Sequence, residues 1–464
     1  MEWFVAPEYR QARQVLQAGT AAIYLIAFVA AGRQFRPLIG ARGMLPIPKF
    51  LAHKNFCDAP SIFHAHYSDR FFAGVCWFGA LVSAALLAGV ADRVPLWAAM
   101  LLWLLPWLLY LSIVNVGQAW YSFGWESLLL ETGFLVVFLG NDDVAPPVLV
   151  IFLARWLLFR VEFGAGLIKI RGDPCWRDLT CLRYHHETQP MPGPLSWFFH
   201  RLPTPLHRVE VAGNHVAQLI VPFGLFAPQP IATVAATIVV VTQLWLVLSG
   251  NFAWLNWLTI VLAFSAIGGP ATPMPSPPPW FVGVVIAFAV LVAVLSVWPV
   301  RNLIGRDQRM NATFNPLHLV NTYGAFGRIT RNRDELVIEG TDETSVGPRT
   351  TWREYEFKGK PGDVRRLPRQ WAPYHLRLDW LMWFAAISPA YARTWLAPFL
   401  DRLLRNDPST LHLLRHNPFP NTPPRYVRVR LYRYRFTTWT ELRHEHAWWH
   451  RSLIGEYVPP IRRS

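Results

Sequence analysis

A multi-pass α-helical membrane domain followed by a soluble α+β domain is the fold class this sequence predicts, on three observations. Of its 464 residues, 53% are hydrophobic, only 16% are charged and 23 are Trp, a composition that points to a polytopic membrane protein. Apolar runs of membrane-spanning length recur as far as about Val300. After Arg301 the chain becomes Arg-rich and turn-punctuated, so it divides into a transmembrane part, 1–300, and an extramembrane part, 301–464.

A helix needs roughly 20 mostly apolar residues to cross a bilayer. Segments that approach this run over 15–31, 71–90, 95–115, 127–140, 146–168, 211–227, 230–249, 252–268 and 281–299, which predicts about eight or nine transmembrane helices. The first follows Arg10 and Arg13 and soon meets Pro37, so it reads as an anchoring helix and not as a cleavable signal. The fourth is short and carries Glu131; the sixth carries Asn214, His215 and Gln218 and is either re-entrant or buried against its neighbours. Asn141-Asp142-Asp143 with Pro146-Pro147, Gly250-Asn251 and the Pro-rich stretch from Gly268 to Pro279 break the runs, because none of these continues a helix.

Two connections are long, at about 32–70 and 169–210, and with nine spans both lie on the same side as 301–464. Lys and Arg concentrate in these three pieces, so the positive-inside rule taken alone puts them in the cytoplasm. The net charge of +15 is explained by attraction to anionic membrane lipids. The interleaved Arg and aromatic residues of 427–437, VRVRLYRYRFT, read as a solvated sheet face, and no nucleic-acid partner is expected.

In the extramembrane part, residues 335–340 and 351–358 read as strands around a turn region. In a third strand Val427, Val429 and Leu431 share one face while Tyr432, Tyr434 and Phe436 share the other, which predicts a bulge near 431. Between the strands, 374–386 and 391–405 have helical spacing, and Asp407-Pro408-Ser409 has the form of a helix cap with Pro at the first helical position.

The stretch from Arg155 to Tyr184 is where chemistry is expected. Each charge near a bilayer midplane costs roughly 2.5–3.5 kcal/mol on insertion scales, yet Arg155, Arg160, Glu162, Lys169 and Arg171 follow one another within and just after the fifth span. Arg155, Glu162 and Lys169 are seven apart and fall along one helical stripe that must face protein or water. Glu126 and Glu131 on the fourth span are the expected partners, in a network that either locks helices together or holds a ligand or proton.

Beyond it, Cys175 and Cys181 admit four readings: a structural disulfide, a redox pair, half a metal site, or coincidence. Their spacing is not Cys-x-x-Cys and no second pair accompanies them, which favours the disulfide and with it an oxidising side of the membrane. The vicinal pair His185-His186 points its rings apart in any regular structure, so no metal centre is expected among the histidines. No phosphate loop, nucleophile elbow or zinc-protease motif is present, and neither a catalytic residue nor a cofactor is assigned. Asn311-Ala-Thr is a glycosylation sequon, meaningful only in a secretory lumen.

Several long strings carry a resemblance: FGWESLLLETGFLVVF at 123–138, FRVEFGAGLIKIRGDPCWRDLTCLRYHHETQPMPGPLSW at 159–197, and SGNFAWLNWLT at 249–259. YEFKGKPGD at 355–363, PYHLRLDWLMWFAA at 373–386, NPFP at 417–420 and YRYRF at 432–436 continue it. With these the chain resembles the lipase maturation factor family. The resemblance implies a multi-pass, chaperone-like membrane protein without a catalytic centre that assists folding and assembly of secreted lipases. It implies the endoplasmic reticulum membrane, with the C-terminal domain lumenal, against the positive-inside reading. It also marks Gly172, Asp173, Cys175, Trp176, Arg177, Asp178, Cys181 and Tyr184 as the most recognisable family signature. The Arg-, Ala- and Trp-rich, Lys-poor composition looks like that of a bacterial member, for which the plasma membrane is the corresponding site. The membrane scaffold is distantly similar to vitamin K-dependent carboxylases. That leaves open an enzyme acting on a lipid-soluble substrate through the charged stripe, and a client-free scaffold is the third reading.

Overall fold

The structure, a computed structural model, describes residues 2–463. Among the described residues, nine principal helices precede the sheet domain: α1 (Pro7–Ile39), α2 (Asp69–Leu87), α3 (Leu96–Val116), α4 (Gly124–Val136), α5 (Val148–Arg171), α6 (Thr204–Leu219), α7 (Ile231–Ser249), α8 (Leu255–Ala266) and α9 (Pro279–Ile304). Five of them, α1, α2, α3, α7 and α9, are long and apolar enough to cross a membrane. The expected eight or nine are not reached by that measure. α4 has 13 residues, and α5 carries Arg155, Arg160 and Glu162 mid-helix. α6 is 16 residues long with Asn214 and His215 inside it.

Exposed Trp, Leu and Val side chains line the outer faces of α7 and α9, for example Trp245, Leu248, Val290 and Val294. Such a face is stable against lipid, not water. Inside, α1 packs along α2 and touches α4 and α8, so the first helix is the bundle's central post. Gly79 of α2 lies against the Phe28 ring of α1, where a side chain would collide.

The C-terminal part forms one four-stranded antiparallel sheet in the order β2-β1-β3-β4: β1 (Arg333–Thr341), β2 (Arg353–Glu354), β3 (Tyr426–Phe436) and β4 (Trp449–Arg462). Helices α10 (Arg377–Ile387) and α11 (Leu396–Leu404) lie between β2 and β3. Asp407 caps the short helix that follows, accepting from the Thr410 N–H at 2.9 Å.

A bulge does fall near 431, between Leu431 and Tyr432 of the β3–β4 ladder, but its extra residue stands on β4 and not in β3. β1 and β3 pair without interruption from Arg333↔Tyr434 to Thr341↔Tyr426, and the extra residues fall in β4. The change of hydrophobic phase has another cause: the two faces of the sheet are covered at different ends. Leu336, Ile338, Val427 and Val429 pack into the main core, while Val337, Tyr434 and Phe436 pack with Trp197 and Trp449 on the other face. Trp197 comes from the connection between α5 and α6, so the sheet is built partly on a piece of the membrane domain.

Candidate functional site

Three buried polar networks converge on α4 and α5. In the first, Glu126 and Arg377 are fully buried and paired, Nη1 to Oε1 at 2.6 Å. The Tyr110 hydroxyl donates to Glu126 Oε2 at 2.5 Å, and Arg377 also donates to the Trp120 carbonyl at 2.7 Å and lies 3.5 Å from the Tyr121 ring centroid. Gln34 of α1 holds this corner by accepting from the Arg377 backbone N–H at 3.1 Å and donating to the His375 carbonyl at 2.7 Å. Burial first, and the Arg377 cation next, push the His375 imidazole down to about 4, so it is neutral at pH 7.

In the second network, Arg160 of α5 makes a two-pronged ion pair with Glu131 of α4. The Asn321 N–H and amide and the Tyr323 hydroxyl also donate to Glu131, at 2.9, 3.0 and 2.7 Å, and Arg160 donates to the Asn321 carbonyl at 2.6 Å. A buried charge persists when every lone pair and N–H finds a partner, and this carboxylate has four donor groups around it.

The third network follows the Arg155, Glu162, Lys169 stripe, which faces α6, α7 and the end of α8. Arg155 donates to the Ser265 and Leu225 carbonyls at 3.0 and 3.2 Å and lies over the Tyr9 ring. Glu162 accepts from Gln218 at 3.1 Å and Gln243 at 2.7 Å. Lys169 donates to Asn214 and Gln218 at 2.9 and 2.8 Å. Arg171 reaches the Leu303 and Gly305 carbonyls, both at 2.9 Å.

One expected pairing is therefore corrected. Glu126 and Glu131 do not jointly meet the α5 stripe: Glu131 takes Arg160, which lies off the stripe, and Glu126 takes Arg377 from α10. The reason is angular. Five residues on a helix turn through roughly 500°, so the two carboxylates point about 140° apart.

The segment after α5 docks against residues 326–333. Gly172 touches the Gly327 carbonyl so closely that no side chain fits there. Asp173 donates its N–H to that carbonyl at 2.8 Å, caps Cys175 N–H at 3.0 Å and pairs with Arg331 at 2.7 Å. Burial raises the Asp173 carboxyl, but Arg331 and the N–H groups of Cys175 and Ile329 outweigh it and hold the group below its ordinary range.

Cys175 and Cys181 are joined as a disulfide, Cα atoms 4.8 Å apart. Trp176 donates to the Phe326 carbonyl at 2.9 Å, and Tyr184 lies beneath the Arg331 guanidinium. Arg177 and Asp178 are the members of this motif that remain exposed. The large aromatic side chains of α10, Trp380, Trp383 and Phe384, are all engaged within the protein. Trp380 is buried against Trp125 and Phe123, Trp383 donates to the Thr188 carbonyl, and Phe384 packs on Tyr391.

Arg377, His375, Asn321, Tyr323 and Gln243 escaped sequence reasoning. Gln243, a lone amide in an apolar run, carried a readable signal. The other four lie outside the membrane helices, where polar residues are unremarkable. The VRVRLYRYRFT arginines are occupied: Arg428 and Arg430 face Glu339, Arg433 pairs with Asp334, and Arg435 with Glu441.

Comparison with known proteins covers both halves of the chain. The family profile described as the lipase maturation factor transmembrane domain matches residues 11–272, and that of the lipase maturation factor C-terminal domain matches residues 319–459. The chain is 42% identical to lipase maturation factor 1 of Bos taurus, over 97% of this chain and 89% of that protein. It is 42% identical to lipase maturation factor 1 of Homo sapiens, over 97% and 87% respectively. It is 28% identical to lipase maturation factor 2 of Xenopus laevis, over 98% and 83%. No solved structure matches the chain.

Proposed function

This chain belongs to the lipase maturation factor family, and we propose that it is a membrane-embedded, chaperone-like maturation factor for secreted proteins such as lipases. The observation that carries the proposal is 42% identity along 97% of the chain, membrane and extramembrane parts together. The polar networks favour a scaffold over an enzyme on a lipid-soluble substrate, because each Glu162 oxygen already accepts from a glutamine amide and Glu131 has four donor groups around it.

Nine crossings remain the reading for the membrane part, 1–300, with 301–464 as the extramembrane part. Support comes from contacts at two poles. At one, Arg13 pairs with Asp142 at 2.5 Å and Gln229 donates to Tyr9 at 3.0 Å. At the other, Gln34, Gln118, Asn115, Trp383 and Trp197 contact the long connections or the sheet domain. Helices α1 to α9 run alternately between these poles, and α4, α5, α6 and α8 would be buried crossings whose polar groups are matched by protein.

The sheet domain and both long connections face the exported side: the endoplasmic reticulum lumen, or the outside of the plasma membrane in a bacterial cell. A disulfide on that side fits an oxidising compartment. Many of the sheet domain's basic residues pair with its own carboxylates, among them Arg333, Arg428, Arg433 and Arg435, and a translocated domain of that length escapes the positive-inside rule. Cys57, exposed in the first long connection, reports the side directly. A membrane-impermeant maleimide should label it from the exported face of sealed membranes only. Labelling from the cytoplasmic face alone would reverse the topology.

The client, and membrane lipid around α7 and α9, are the partners implied. Within the Gly172–Tyr184 motif, exposed Arg177 and Asp178 are the client-facing residues. Expressed in cells lacking their own maturation factor, this chain should raise the specific activity of a co-expressed secreted lipase. The Arg177→Ala/Asp178→Ala variant should insert normally and lose most of that effect. A correctly inserted wild-type chain that leaves lipase activity at background would refute the proposal.

A further inference from the structure

His186, His207 and Glu210 come together although the sequence offered no reason to group them. His186 sits on the short helix Leu182–Thr188 that follows the disulfide, while His207 and Glu210, three residues apart, share one face of α6. Glu210 Oε2 lies 3.5 Å from His186 Nε2 and 3.8 Å from His207 Nδ1, and the three atoms all fall within 4.8 Å of one another. The other carboxylate oxygen, Oε1, accepts from the Trp245 indole N–H of α7 at 2.7 Å, which fixes the plane of the group and aims Oε2 at the imidazoles.

The contacts among the three converging atoms are long for hydrogen bonds, 3.5 Å from His186 and 3.8 Å from His207. Glu210 Oε2, His186 Nε2 and His207 Nδ1 are all buried without a partner, and His186 and His207 are 1% and 3% exposed. Buried polar atoms are almost always satisfied, so three orphans aimed at one point need a common partner. Two neutral imidazoles can each turn an N–H toward Oε2, but at 3.5 and 3.8 Å neither contact has the length of a well-formed hydrogen bond. A metal ion answers all three at once. Two neutral imidazole nitrogens and one carboxylate oxygen, with a hydrogen-bonded carboxylate behind, are a borderline donor set. In a tetrahedral site with bonds of about 2.0–2.2 Å, ligand atoms lie about 3.4 Å apart, close to two of the separations here.

We propose that His186, His207 and Glu210 form a divalent transition-metal site, with zinc the ion of choice, tying the segment after the disulfide to α6 and, through Trp245, to α7. The fourth position is free of protein ligands among the described residues, so water completes the shell. The site explains why His185-His186 need not converge with each other: their rings diverge, 6.0 Å apart, and only His186 turns toward α6.

The test uses tag-free full-length protein in detergent, stripped with chelator and titrated with Co²⁺ or Zn²⁺ alone. One equivalent of Co²⁺ should produce the visible absorption of a four-coordinate site, and Zn²⁺ should raise the melting temperature. Glu210→Gln keeps a group able to accept from Trp245 and should abolish both effects. His200→Ala, a neighbouring histidine outside the triad, should leave both intact. Trp245→Phe should weaken zinc binding about 10- to 100-fold without removing it. Metal uptake by the wild type no greater than by Glu210→Gln would overturn the proposal. So would a melting temperature that responds to pH but not to Zn²⁺, the signature of a shared proton.

Discussion

Substituting Arg377 by Met isolates the contact on which docking of the C-terminal domain turns. Arg377 and Glu126 are fully buried, and the substitution removes their 2.6 Å ion pair, the 2.7 Å bond to the Trp120 carbonyl and the stacking on Tyr121. Met fills much of the volume, so the dominant loss is electrostatic: Glu126 is left charged and buried, with the Tyr110 hydroxyl and neutral His375 as its remaining polar neighbours. Removing one partner of a buried pair costs about 3–5 kcal/mol. At about 1.4 kcal/mol per tenfold, hydrogen exchange in α10 should lose roughly two to three and a half powers of ten of protection, if that helix opens with the docking contact. The assay is exchange mass spectrometry on the full chain in detergent. Adding Glu126→Gln to Arg377→Met removes the stranded charge and should restore at least half of the lost free energy. A loss of protection below about threefold in the single variant, or no recovery in the double variant, would show that the pair does not hold the domain.

Three further outcomes follow from the same geometry. Glu131→Gln strands the Arg160 guanidinium and should lower stability by about 3 kcal/mol, read as a drop in melting temperature, while Glu131→Asp with shortened reach falls between. Cys175→Ser/Cys181→Ser opens a loop of separation 6; at about 2 kcal/mol of loop entropy, trypsin should cut at exposed Arg177 and Arg183 several-fold faster than in the wild type. Burial holds His375 and His318 down to about 4, so the unfolded chain binds more protons than the folded one between about pH 6.5 and 4. Stability is therefore lost as pH falls through that window, by about 1.4 kcal/mol per pH unit for each histidine; His185 and His200, which burial holds down to about 3, add to the slope, so His375→Gln should remove roughly a quarter of it.

The apolar helices were legible because their signal is local: an apolar run is readable residue by residue, and five of the nine expected spans fall on helices long and apolar enough to cross a membrane. The Arg155, Glu162, Lys169 stripe was legible for the same reason, since a seven-residue interval fixes a face whatever packs on it. Its partners were not. Gln218 and Gln243 stand on other helices, and Arg377 lies 251 residues beyond Glu126, so nothing in local pattern links them. Strand β3 shows the opposite failure, a real pattern with the wrong cause: alternation reports which face is buried, and here Trp197 from a distant connection covers one end of the second face. The His186, His207 and Glu210 cluster was missed because attention to neighbours in sequence, His185 and His186, gave the right answer about that pair and said nothing of α6.

The networks also change how the C-terminal domain can be studied. Deletion of 301–464 suggests itself as a clean removal of a soluble module, but Asn321, Tyr323 and Arg377 all belong to the deleted piece. Their loss would strand Glu126 and leave Glu131 with Arg160 alone, two faults inside the membrane domain. Arg333 of β1 meanwhile donates to the Glu187 and Pro190 carbonyls, at 2.8 and 3.0 Å, where the short helix after the disulfide ends. Its removal would free the connection that carries the Cys175–Cys181 disulfide. A truncated chain that fails to mature a lipase would therefore not show that the sheet domain touches the client. Arg177→Ala/Asp178→Ala separates the two cases, because those side chains are exposed and hold nothing in place: loss of maturation with unchanged melting would locate client contact on the disulfide loop, and unchanged maturation would move the search to the sheet domain's own surface.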